Sequence, residues 1–151
     1  MNRGIIAEID LKAVSNNLGV VKSLSNNRPV IAVVKADAYG HGAVEISRRL
    51  VSAGAEYLAV AFTEEAKELR EAGIKAPILV LFDPDIGDVF KYSLTPVICN
   101  IKTAVALSKE AEKNKHDYQY YQEFRHSKSK HTLPPFFSSQ LTAYSLFIMQ
   151  L

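Results

Sequence analysis

Two stretches of this chain are apolar with no polar alternate: Val30 to Val34 within PVIAVVKA (29–36), and Ile78 to Phe82 within PILVLF (77–82). A strand with one wet face alternates apolar and polar residues, so a strand without alternation is buried on both faces. Such strands belong to parallel sheets covered by helices, and the text between them must supply those helices. Residues 42–53 place Ala43, Ile46, Leu50 and Ala53 on one helical face. A third strand is expected at 56–61 (EYLAVA). A helix should then begin at Thr63 as its N-cap, carry Glu64 and Glu65 on the positive end of its dipole, and stop at Gly73. TPVIC (95–99) reads as a weaker strand and 100–113 as a closing helix. Ahead of the first buried strand, IIAEIDL (5–11) reads as a strand, and Asp10 can cap a helix over LKAVSNNLGVVKSL. The pattern is α/β with parallel pairing. Both an open doubly wound sheet and a closed (β/α)8 barrel satisfy it.

Bulk properties narrow the function. The chain has 151 residues, enough for about one domain, and 48% of them are apolar, enough to build a core. A net charge of +2 argues against nucleic acid or an anionic membrane as partner. Cys99 is the single cysteine, so no internal disulfide can form, and the first residues, broken by Glu8 and Asp10, do not read as a signal peptide. The expected location is the cytoplasm.

After about Asp117 the text changes. Residues 118–151 contain no Gly, Val or Asp and hold every Gln of the chain, with no period of two or of 3.6. The expected division is therefore 1–117, a folded portion, and 118–151, an unstructured tail. His126 and His131 lack a cysteine pair and are not expected to bind metal. The aromatic and basic residues near Tyr118 are not expected to bind nucleic acid without a folded platform.

The chemistry concentrates at the end of the first buried strand. Lys35 stands where ligands of parallel sheets sit, beyond the C-terminal ends of the strands. Gly40 and Gly42 let the backbone approach an anion before a helix N-terminus, and Tyr39 adds a phenol donor. An amine beside a phosphate site points to pyridoxal 5'-phosphate held as a Schiff base. IAVVK also resembles the strand lysine of protein kinases, but no glycine-rich loop precedes it and no HRD or DFG follows. GHGAVE opens like a dinucleotide fingerprint but has Glu45 at the third glycine, and that reading has no use for Lys35. The acids Glu64, Glu65, Glu68 and Glu71 read as a solvated helix face, and His41 as a loop-packing residue.

AVVKADAYGHGA, with AEIDLKAVSNNL before it and LAVAFTEEAKELREAGIKAPILVL after, resembles the N-terminal part of bacterial alanine racemases over about residues 4–113. The resemblance implies a partial (β/α)8 TIM-type barrel with about half the strands, the C-terminal β domain being absent. It implies an isomerase that interconverts L-alanine and D-alanine for the cell wall, working as a homodimer on pyridoxal phosphate. Lys35 would hold the cofactor and act as one catalytic base, Tyr39 would bind its phosphate, and Leu81 would lie near it. The second base of the family, a tyrosine of the partner subunit's β domain, matches none of Tyr118, Tyr120, Tyr121 or Tyr144. The expectation is then a truncated and inactive fragment, produced by a frameshift, a shortened gene or a join of unrelated sequences, with strand edges and apolar faces exposed. A non-catalytic carrier of pyridoxal phosphate and a racemase of another amino acid are the alternatives.

Overall fold

The structure, a computed structural model, describes residues 7–114 and 147–150. Asp10 opens the first helix, α1 (Leu11–Leu24): its backbone is extended and its carboxylate accepts the N–H groups of Lys12 and Ala13, two donors the helix itself cannot satisfy. The chain then runs through β1 (Val30–Val33), a short helical segment α2 (Lys35–Gly40), α3 (Ala43–Ser52), β2 (Tyr57–Val60), α4 (Thr63–Glu71), β3 (Ile78–Val80), α5 (Ile86–Lys91), β4 (Thr95–Pro96), α6 (Ile101–Asn114) and β5 (Phe147–Gln150).

The sheet is parallel throughout, in the order β4-β3-β2-β1-β5. Ile31 pairs with Tyr57, Leu58 with Ile78 and Leu79 with Thr95. The first four strands follow one another across the sheet without a reversal, which a doubly wound sheet requires and a barrel forbids. Burial agrees. Val30 and Ala32 of β1, with Val34 just after it, share the main core with Leu58, Val60, Ile78 and Val80, and that core is closed by Val14 and Leu18 of α1, Ile46 and Leu50 of α3, and Ala66 and Leu69 of α4. The alternate strand residues Ile31, Val33 and Ala59 form a second cluster with Tyr39, Tyr57, Leu79 and Leu81, to which no helix between the strands contributes apart from Tyr39 of α2. One face covered by helices and one lined, among the described residues, mainly by strand residues is the arrangement of a segment of a (β/α)8 barrel. Each fully buried Leu or Ile in the helix-covered layer contributes about 1.5–3 kcal/mol, so this layer fixes the sheet.

Two long ties cross the layer. Lys22 at the end of α1 donates to Glu56 (2.8 Å) and to the carbonyl of Gly54, while Glu56 also accepts the N–H of Val30 at 2.8 Å. Arg70 of α4 donates to four carbonyls, those of Ile74 (2.6 Å), Ala76 (2.8 Å), Tyr92 (2.9 Å) and Ser93 (3.1 Å), joining the approach to β3 with the end of α5. Burial lowers the pKa of this guanidinium from its ordinary value, yet the group stays charged in any working buffer.

The structure corrects several expectations. The described part of 5–11 is not a strand: residues 7–10 have no regular structure and Leu11 is already helical, while Ile5 and Ile6 lie outside the described residues. Asp10 commits its side chain to the helix start, which ends any extended run there. The N-cap of α4 is Phe62, not Thr63; Thr63 is buried inside the first turn, where its Oγ1 accepts the N–H of Asp85 at 3.0 Å. Gly73 does follow the helix with φ +83°, its N–H on the Arg70 carbonyl. In the tail, Phe147–Gln150 pairs along the whole of β1, so these four residues are a strand and β1 has no bare edge there. Tyr118, Tyr120, Tyr121, Tyr144, His126 and His131 lie outside the described residues.

A lysine on a left-handed turn

The site begins where β1 stops. Val34 is buried in the main core and leaves the strand conformation (φ −123°, ψ 25°), and Lys35 follows at once. The next four residues, Ala36, Asp37, Ala38 and Tyr39, all have φ between 50° and 58° with ψ between 34° and 53°. This is a full turn of left-handed helix made of L-residues without a glycine. Each such residue costs about 1–2 kcal/mol against the right-handed form, so the turn stores about 4–8 kcal/mol unless its surroundings compensate. Strain on that scale persists only where the fold over-determines it, and it gathers at functional sites.

Its surroundings are specific. The Ala38 N–H donates to the Val34 carbonyl (3.0 Å) and the Gly42 N–H to the Asp37 carbonyl (3.0 Å). Asp37 Oδ1 accepts the N–H of Ala43 at 2.6 Å, which ties the turn to the first residue of α3. Gly40 (φ +84°) and Gly42 (φ +91°) make the exit, and an added Cβ at either would meet no atom within 4 Å. These glycines are therefore present for backbone conformation. His41 places Nδ1 2.7 Å from the Ala38 carbonyl, the packing role its loop position suggested.

Glu65 was missed by the sequence reading. Expected on a solvated face, it turns back from the first turn of α4: Oε1 accepts the N–H of Ala36 at 2.6 Å, and Oε2 accepts those of Ala61 (2.7 Å) and Phe62 (3.1 Å). A signal was available, because a glutamate at the third helical position characteristically reaches back to its own N-cap. Its reach across to the first strand's loop could not be read locally.

The turn and the residue before it carry two chemical groups, the amine of Lys35 and the phenol of Tyr39. Tyr39 packs on the helix-free face against Ile31, Val33 and Ala59 together with Leu79 and Leu81. Its hydroxyl is buried and has no hydrogen-bond partner among the described residues. Lys35 Nζ lies 5.9 Å from the centre of the Phe82 ring, just beyond β3, and among the described residues it pairs with no carboxylate. Phe82 and Phe62, rings 6.3 Å apart and half exposed, form the rim. An amine near an aromatic rim and a buried phenol without a partner match a ligand with an electrophilic carbon at one end and an acceptor-rich anion at the other. Pyridoxal phosphate is such a ligand, and the orphaned Tyr39 hydroxyl fits its phosphate.

Residues 9–122 match the family described as alanine racemase, N-terminal domain. The chain belongs to that family. The alanine racemase of Thermodesulfovibrio yellowstonii is 55% identical to it over 117 residues, which are 75% of this chain and 32% of that protein. Among solved structures, alanine racemase from D-cycloserine-producing Streptomyces lavendulae superposes with a TM-score of 0.67 at 33% identity, over 71% of this chain and 29% of that one. Histidine racemase from Leuconostoc mesenteroides superposes with a TM-score of 0.64 at 28% identity, over 69% and 29%. This chain thus spans about a third of the length of the alanine racemase it matches at 55% identity, and its one-sided parallel sheet is part of the family's barrel domain.

Proposed function

We propose that this chain carries the cofactor-anchoring part of an alanine racemase, with Lys35 and Tyr39 holding pyridoxal 5'-phosphate. The observation that carries the reading is the Tyr39 hydroxyl, buried without a partner among the described residues, on the strained turn that follows Lys35 directly. When bound, the cofactor supplies an electron sink that makes the Cα–H bond of an amino acid labile. Lys35 Nζ would hold the aldehyde end and, once the amino acid has replaced it there, take and return the α-proton from one face. Tyr39 would donate to the phosphate and so fix the ring's direction. Ile31, Val33, Leu79 and Leu81, clustered with Tyr39, would keep water from that side of the site. Inversion at Cα also needs a group on the opposite face, which the family resemblance assigns to a tyrosine of the partner subunit in a homodimer. Alanine as substrate, D-alanine for the cell wall as product use and a cytoplasmic location belong to this reading. Among the described residues no helix is long and apolar enough to cross a membrane.

A second reading, a racemase for another amino acid, is favoured by the likeness to histidine racemase. Mixing the purified 151-residue chain with pyridoxal phosphate, reducing with borohydride and mapping the labelled peptide tests the anchor. Label on Lys35, lost in Lys35→Ala, is expected; label spread over exposed lysines would sink the proposal. Exchange of the α-proton of L-alanine, D-alanine and histidine in deuterated water then separates the chemistry. Exchange with alanine supports the first reading and exchange with histidine alone the second, whereas labelling without exchange leaves a cofactor carrier.

A further inference from the structure

Glu65 has no hydrogen bond to Lys35 or Tyr39 among the described residues, yet its carboxylate ties the loop after β1 to the loop after β2. Its two oxygens divide the work. Oε2 serves α4's own start through the N–H groups of Ala61 and Phe62, and Oε1 alone reaches the first residue of the left-handed turn, the N–H of Ala36 at 2.6 Å. Ala36 is the residue immediately after the lysine, so fixing its N–H fixes the peptide plane from which the Lys35 side chain departs. A carboxylate can accept on both oxygens at once, and hydrogen bonds to a charged acceptor are the shorter and stronger kind. A turn that the backbone disfavours at four successive residues has to be held at its start, and the Ala38 N–H and Asp37 carboxylate hold only its middle and end.

We propose that Glu65 is a positioning residue for Lys35: by accepting the Ala36 N–H it sets the left-handed turn and with it the direction in which the amine enters the site. The inference rests on the reading of Lys35 as the cofactor's anchor. Its geometry gives a variant that separates positioning from structure. In Glu65→Gln the amide oxygen can still serve Ala61 and Phe62, and glutamine is accepted at this helical position. Its NH2 group would face the Ala36 N–H, donor against donor. Glu65→Ala removes both halves.

The test uses the whole chain and two measurements. By amide hydrogen exchange, Glu65→Gln is expected to speed exchange at Ala36 at least tenfold while Ala61 and Phe62 keep the parent rates and the melting temperature stays within a few degrees. By borohydride trapping with pyridoxal phosphate, the rate at Lys35 relative to exposed Lys12 and Lys75 in the same sample should fall by about tenfold. Glu65→Asp, one methylene shorter, should not restore it. Unchanged exchange at Ala36, or an unchanged trapping ratio with faster exchange, overturns the assignment to Glu65. If the parent chain labels Lys35 no faster than Lys12, the cofactor reading has failed; the proposal as stated then falls with it, and the exchange data still decide whether Glu65 holds the turn.

Discussion

A buried phenol without a partner is a local defect, and among the described residues Tyr39 carries one. Leaving a buried donor unsatisfied costs about 1–3 kcal/mol, and no part of that is recovered until an acceptor arrives. On the proposed reading the same hydroxyl would destabilise the free chain and stabilise the loaded one. Tyr39→Phe should separate the two effects, because it keeps the ring against Ile31, Val33 and Leu81 and deletes only the oxygen. The expected outcome is a ligand-free chain of equal or higher stability, by up to about 1–2 kcal/mol in urea denaturation, with weaker pyridoxal phosphate binding by about tenfold. A loss of stability without any loss of binding would show that the hydroxyl is satisfied in solution and has no ligand to serve. Lys35 and Tyr39 stand out in the sequence as candidates, since an amine at a strand end and a phenol beside two glycines are marked by type and place. The handedness of the turn joining them was not. Glycine and, less often, Asn or Asp advertise a left-handed backbone, and here Ala36, Ala38 and Tyr39 adopt it under constraint from residues up to 29 positions away.

At the scale of elements, what could be read depended on whether the cause was local. α1 and α3 show their apolar stripes at steps of three and four, α4 is marked by its leading acids and by Gly73, and the structure places their starts and stops within a residue or two of expectation. α5 escaped notice because six residues, IGDVFK, hold too few periods to stand out; its start is set by Asp85, whose carboxylate accepts the Asp88 N–H at 3.0 Å. The tie through Glu56 is another non-local device, since it joins the end of α1, the first residue of β1 and the entry to β2. Burial pushes the Glu56 carboxyl upward, but the bonds from Lys22 and from the Val30 N–H outweigh it, and the pKa lies below the ordinary 4.5. A carboxyl whose folded pKa is depressed contributes its stability above the unfolded value and loses it as pH falls through the folded one. The chain should therefore weaken from about pH 4.5 downward in urea titrations, and Glu56→Gln, which still accepts from Val30, should flatten that decline while lowering stability at pH 7. A decline of the same steepness in the variant would assign the acid sensitivity to other carboxylates.

For the whole molecule the decisive feature is a sheet with helices on one face and an ordered run of strands, β4-β3-β2-β1, ending at the strand that bears the lysine. In a closed barrel both edges of such a run are paired, and an unpaired edge offers N–H and C=O groups to any passing chain. Here β1 is paired on its outer side by β5, with Val30 opposite Phe147 and Val33 opposite Gln150. The pairing covers the edge next to Lys35 and holds Val30 to Val33 in line, so its loss would act on solubility and on the site together. Adjacent residues of a strand direct their N–H groups to opposite sides, so one of Ile148 and Met149 donates to β1, and proline at both positions removes that donor whichever it is. Ile148→Pro combined with Met149→Pro should leave the helical circular dichroism of α1 to α6 nearly intact. Light scattering should then detect association at lower protein concentration than in the parent, and borohydride trapping of pyridoxal phosphate at Lys35 should slow. If the double variant stays as monodisperse as the parent, β1 does not depend on β5 for its protection, and the mouth of the site is held from the β2 side alone, through Glu65.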